Sequence, residues 1–259
     1  MKIKYIIPFY YTWHSRSKGL HFISYFNMVI LPQFLLCLFF RMPSENLKFI
    51  LSFLVAFIGM LSTYEFGYIV NDSICIRKDP HPSKRIDDNE QQYLKENIIF
   101  FSAIKILISF FCVALLYFSV NQKNALLYLC CILVLIVTYI IHNSNRSFVN
   151  FITVFVLTTF NYFSSICAIC SIQNFLICFL IVLICFSIPK TFFYILRKLL
   201  NYEDGYGFTI FYFLETFVFI ILCFVYDINK LIVFIPFSQF MWRLFTSVLQ
   251  YKKSSGVKK

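Results

Sequence analysis

The chain has 259 residues, 60% of them hydrophobic and 14% charged, with 35 Phe, 17 Tyr and only 6 Gly. That leaves too little polar surface for a soluble domain of this size, and apolar runs of about twenty residues, the length a helix needs to cross a bilayer core, recur from end to end. The net charge of +11 in such a chain marks cytoplasmic loops and anionic headgroups, so nucleic acid is set aside as a partner.

At the start, MKIKYIIPFYYTW has a basic beginning, but its apolar stretch is short, contains Pro8 and lacks a small-residue cleavage site, so it does not read as a signal peptide. With the polar patch His14 to Gly19, residues 1–19 are expected to form an interfacial or loosely ordered cytoplasmic lead-in. Eight spanning helices are then expected near 20–40, 48–70, 97–120, 124–142, 148–170, 173–195, 208–226 and 229–248. They form a single domain over 1–259, with a basic tail at 250–259. Nine of the 10 Cys fall inside the apolar runs. The single CxxC, Cys167-Cys170, has no second pair beside it, so these thiols read as small buried hydrophobes and not as a zinc site.

Positive charge orients the bundle. With an even number of spans, one face carries Lys2, Lys4, Arg16, Lys18, Arg77, Lys78, Lys84, Arg85, Lys95, Arg146, Lys190, Arg197, Lys198, Arg243, Lys252, Lys253, Lys258 and Lys259. The other carries only Arg41, Lys48, Lys123 and Lys230. This places both termini in the cytoplasm. Glu65, Lys105 and Glu215 are the ionisable groups within spans. Such residues face a bundle interior, and the sequence assigns Lys105 no partner.

Half of the acidic residues lie between Asp72 and Glu96, just after the second span. If that helix continues, Glu65, Asp72 and Asp79 fall seven apart on one face, with Asn71 beside Asp72. Carboxylates and an amide oxygen are hard ligands of the kind Mg²⁺ takes, and Lys84-Arg85 just downstream suits phosphate oxygens. The plainer reading is a solvated loop whose charges set topology. After the sixth span, RKLLNYEDGYGFT (Arg197 to Thr209) brings Lys198, Glu203 and Asp204 next to Gly205 and Gly207. Taken alone it reads equally well as a basic helix end followed by a turn.

The stretch YIVNDSICIRKDPHPSKR resembles the first signature of the UbiA superfamily of intramembrane prenyltransferases, N-D-x-x-D-x-x-x-D at the end of the second helix. The matching positions here are Asn71, Asp72, Cys75 and Asp79. The tail His81 to Arg85 resembles the H-P-T-K-R of the phosphoribosyltransferase branch, and Asp204 lies where the family has its second acidic loop. The resemblance implies an all-α polytopic membrane bundle of eight or nine transmembrane helices around a central cavity. It implies Mg²⁺ held by Asn71, Asp72, Asp79 and Asp204, with Asp72, Asp79 and Asp204 catalytic and Lys84, Arg85, Arg146 and Lys198 on substrate phosphate. The partners implied are an isoprenoid or polyprenyl phosphate lipid, the bilayer and a small-molecule co-substrate, in a bacterial inner membrane. The reaction would be prenyl transfer to an acceptor, or phosphoribosyl transfer to a polyprenyl phosphate. The chain departs from the pattern at Cys75, where the family has Asp, and at Leu200, four residues before Asp204. These departures favour the competing class, a non-enzymatic transporter or a lipid-binding or assembly subunit of the same fold.

Overall fold

In lipid the backbone must satisfy its own hydrogen bonds, which a helix does within a single segment. A computed structural model of the chain describes residues 3–16, 20–41, 46–75, 85–145, 148–200, 213–214, 216–217, 220 and 233–256. Among these there is no strand, only an isolated bridge between Arg41 and Cys170. A 3₁₀ turn at Ile3–Tyr5 precedes α1 (Tyr10–Arg16). Helix α2 runs through Leu20–Tyr25, a π turn at Phe26–Ile30 and Leu31–Phe40. There follow α3 (Asn46–Ser73), α4 (Asp88–Glu96), α5 (Ile98–Ser119), α6 (Gln122–Ser144) and α7 (Val149–Ile169). Helix α8 comprises Phe175–Val182, a π turn at Leu183–Ser187 and Ile188–Leu200, and α9 is Phe234–Gly256.

Among the described residues six stretches are long and apolar enough to cross a membrane: Phe22–Phe40, Asn46–Ser73, Ile98–Ser119, Gln122–Ser144, Val149–Ile169 and Ile172–Leu196. They coincide with the first six expected spans and make the chain a multi-pass, membrane-type helical protein. The seventh expected span, 208–226, falls almost wholly outside the described residues. The eighth overlaps α9, which is not among the six.

Both π turns lie just before a proline, Pro32 and Pro189. A proline has no N–H to return to the carbonyl four residues back and crowds that carbonyl, so the helix widens there. At the first of them the Met28 carbonyl accepts instead from the Tyr162 hydroxyl of α7.

The described part of the lead-in, residues 3–16, packs onto the bundle. Tyr5 and Tyr11 are fully buried and belong to a small apolar cluster with Ile69 of α3, Ile86, Leu94 of α4 and Phe101 of α5. The Tyr5 ring meets those of Tyr10, Tyr11, Tyr93 and Phe101, and together these aromatics supply enough apolar area to seat the segment on the bundle.

Helix α3 is the hub, packed against α1, α4, α5, α6 and α7. Two glycines allow this. A Cβ on Gly59 would stand 2.8 Å from Cys112 Cβ of α5, and one on Gly67 would stand 2.1 Å from the Tyr139 ring of α6. Short polar side chains then bridge the close backbones, since interhelical hydrogen bonds substitute for the hydrophobic effect in lipid. The Tyr128 hydroxyl donates to the Ala56 carbonyl at 2.7 Å, Ser109 to the Gly59 carbonyl at 2.9 Å, and Asn124 to the Cys167 and Cys170 carbonyls at 2.8 Å each.

Replacing Gly67 with Ala drives a methyl group into the rigid Tyr139 ring. The expected loss is about 1–3 kcal/mol, read as a lower thermal midpoint of the detergent-purified chain. An unchanged midpoint removes the close α3–α6 contact.

Candidate functional site

Polar groups gather at one end of the bundle, where α3 ends, α4 and α5 begin and residues 3–16 fold across. Helix α4 starts there because Asp87 caps it: its carboxylate accepts the Glu90 N–H at 2.7 Å, and Glu90 stands three residues on. Glu90 is itself buried and faces the N-terminal segment. It accepts from the Tyr5 hydroxyl, and His14 Nε2 lies 2.9 and 3.0 Å from its two oxygens.

Deeper in the bundle, Glu65 of α3 and Lys105 of α5 form an ion pair at 2.5 Å with both side chains fully buried. The remaining valences go to the N-terminal segment. Lys105 Nζ donates to the Ile6 and Ile7 carbonyls at 3.3 and 3.1 Å, and Glu65 Oε1 accepts the Thr12 N–H at 2.8 Å. A buried pair survives desolvation only when its spare donors and acceptors are also satisfied, and here the backbone of residues 6–12 satisfies them. The pair corrects the expectation that Lys105 has no partner.

Two helical turns along the same face of α3, Asp72 is fully buried and surrounded by donors. Oδ2 accepts from the Tyr11 hydroxyl at 2.8 Å and lies 3.1 Å from Arg16 Nη1. Oδ1 accepts from Arg16 Nη2 and Asn71 Nδ2, each at 3.1 Å, and from Arg85 Nη1 at 3.4 Å. The Asp72 carbonyl takes Gln91 Nε2 at 3.0 Å. Arg16 lies over the Tyr68 ring, 3.8 Å from its centroid, the cation–π placement that a planar guanidinium favours. Burial pulls the Arg16 pKa down, but the Asp72 charge together with Tyr68 and Tyr11 more than offsets this, so Arg16 stays charged. Burial and then the Asp72 charge push the Tyr11 phenol up, which keeps it a donor. Two guanidiniums face the one Asp72 carboxylate. The Arg85 side chain is 39% exposed against 15% for Arg16, so Arg85 carries most of the accessible charge.

Of the expected site residues, the structure brings Asn71, Asp72 and Arg85 together. Lys198 is exposed near the end of α8, its ammonium 5.5 Å from the Tyr194 ring centroid. Asp79, Lys84, Arg146 and Asp204 lie outside the described residues. Sequence reasoning missed Tyr11, Arg16 and Glu90 as members of this cluster. The signal that was available is the tyrosine pair Tyr10-Tyr11 followed by Arg16 at a helical spacing, just ahead of a span.

Among the described residues no group of three or more His, Cys, Asp or Glu side chains is placed to hold a metal ion. Asn71 and Asp72, the described members of the expected Mg²⁺ set, do not fit that role as placed. Both Asp72 oxygens already face Arg16, and the Asn71 amide turns its donor toward Asp72. Cys75 supplies sulfur, a soft ligand unsuited to Mg²⁺. Comparison with protein-family models, with curated proteins and with solved structures finds no match for this chain.

Removing one partner of the Glu65–Lys105 pair strands a buried charge. Lys105→Met is expected to cost about 3–5 kcal/mol in detergent unfolding, and the double variant with Glu65→Gln to recover most of it. A double variant as unstable as the single one removes the coupling.

Proposed function

We propose that the chain is an integral membrane transferase acting on a polyprenyl phosphate or diphosphate, with its polar head bound at the Asp72 end of the bundle. The observation that carries this is a buried carboxylate, fixed between two arginines, at the mouth of an apolar multi-helix bundle and within the motif that resembles the prenyltransferase signature. Asp72 and Tyr11 hold Arg16 in place. Arg85, more exposed and at a longer 3.4 Å from Asp72, keeps donors for phosphate oxygens. In the transfer, the carbon–oxygen bond to diphosphate breaks, the bonding pair leaves on diphosphate, and the acceptor oxygen or carbon forms the new bond and releases a proton. Preorganised guanidinium charge beside the departing diphosphate lowers that barrier. The proposal includes an eight- or nine-helix bundle around a lipid-sized cavity, both termini in the cytoplasm and a bacterial inner membrane. It also includes a Mg²⁺ requirement, assayed directly because the described residues give it no ligand set.

A second reading is a non-enzymatic lipid-binding or assembly subunit. The observation favouring it is that Asp72 is already occupied on both oxygens, which suits a structural anchor.

One assay separates the two. Membranes containing the protein are given radiolabelled polyprenyl phosphate or diphosphate with candidate acceptors and sugar diphosphates, with and without Mg²⁺, and the lipids are analysed by mass. The transferase reading expects a new lipid product that falls at least about tenfold in Arg85→Gln, an exposed position where folding is retained, and more in Asp72→Asn. Absence of any product across the donor panel leaves the subunit reading standing.

A further inference from the structure

Helices α3, α6 and α7 meet in fixed register. Tyr128 of α6 bonds the Ala56 carbonyl and Asn143 bonds the Gly67 carbonyl, so α3 and α6 run parallel. Asn124 bonds the Cys167 and Cys170 carbonyls while His142 meets Thr153 at 2.8 Å, so α7 runs back against α6. The Tyr64 hydroxyl of α3 donates to the Leu157 carbonyl of α7. Two turns from that contact toward the polar end stand Asn71 on α3 and Asn150 on α7, level with Asn143. Asn150 shares the buried face of α7 with Thr153 and Leu157.

At this level lie three polar atoms with no hydrogen-bond partner among the described residues: Asn143 Oδ1 and both amide atoms of Asn150. The two side chains are 4% and 1% exposed. Their neighbours do not serve them, because Thr153 Oγ1 is engaged with His142 and with the Asn150 carbonyl. The Asn143 amide is oriented by chemistry: its nitrogen donates to the Gly67 carbonyl at 3.1 Å, which leaves the oxygen as the acceptor without a donor. Buried polar atoms are satisfied in the great majority of cases, so three unsatisfied ones at one level call for a partner such as an ordered water, an ion or a ligand.

We propose that Asn143 and Asn150 form a binding site for a vicinal diol. The two amide oxygens each call for a donor, and the Asn150 amide nitrogen calls for an acceptor. A phosphate satisfies the nitrogen but meets two carbonyl oxygens, and a cation satisfies the oxygens but meets the NH₂. Adjacent hydroxyls each donate and accept, so one pair can bind the Asn150 amide in a two-point contact while donating to Asn143. The diol belongs to a free phosphorylated sugar or to a glycerol headgroup. Its role as the co-substrate rests on the transferase reading, whereas binding itself does not.

The test reads binding without turnover, so it fails independently of the transfer assay. The detergent-purified full chain is dialysed against ribose 5-phosphate, 2-deoxyribose 5-phosphate and inorganic phosphate. In parallel the chain is placed in nanodiscs of phosphatidylglycerol or of phosphatidic acid and its thermal midpoint measured. A free-sugar source predicts that ribose 5-phosphate binds at least about tenfold more tightly than its 2-deoxy analogue, since the analogue leaves buried amide atoms unpaired. A lipid source predicts a higher midpoint in phosphatidylglycerol. In either case the preference is lost in Asn143→Leu and Asn150→Leu, and if those variants fail to fold the comparison of diol with deoxy compound on the native chain decides. No diol preference from either source, or a preference that survives in the folded Leu variants, overturns the site and leaves water as the partner of these amides.

Discussion

A carboxylate removed from water inside an apolar bundle must be met by positive charge, and the placement of Asp72 imposes that demand on everything around it. The cations come from opposite directions along the chain. Arg16 arrives from the N-terminal segment, and Arg85 from the entrance to α4. Seven residues earlier on the same helix, Glu65 makes the same demand and is met by Lys105 of α5. These two acids fix which segments can lie against α3 and in what register.

The N-terminal segment is where both demands converge. Its backbone completes the Glu65–Lys105 pair through Ile6, Ile7 and Thr12, and its side chains complete the Asp72 and Glu90 clusters through Tyr5, Tyr11, His14 and Arg16. Phe9 adopts φ 75°, a left-handed conformation that costs about 1–2 kcal/mol for an ordinary residue. Packing of Phe9 against Trp13, Phe22 and Tyr25, together with the polar anchors on either side, offsets that strain. The segment therefore acts as a structural cover over the polar end of the bundle.

This arrangement shifts the chemistry of the motif. The acid that its sequence context puts forward as a ligand instead positions guanidiniums, and the accessible charge at the mouth is Arg85. The buried amides of Asn143 and Asn150, by contrast, carry no charge and leave three polar atoms without a partner among the described residues.

The amino-acid pattern alone marks the chain as a multi-pass helical membrane protein and locates six spans to within a few residues. Apolar run length and the need for internally satisfied backbone are local properties, legible residue by residue. It also marked Asn71, Asp72 and Arg85 as neighbours, because they flank one helix end. What those groups bond to emerges only from the packing of the helices. Arg16 stands 56 residues before Asp72, Lys105 stands 40 after Glu65, and Tyr5 and Glu90 are 85 apart. No periodicity links positions so distant. Their pairing follows from how α3 packs at Gly59 and Gly67, and from the requirement that every buried charge find its partner inside the protein.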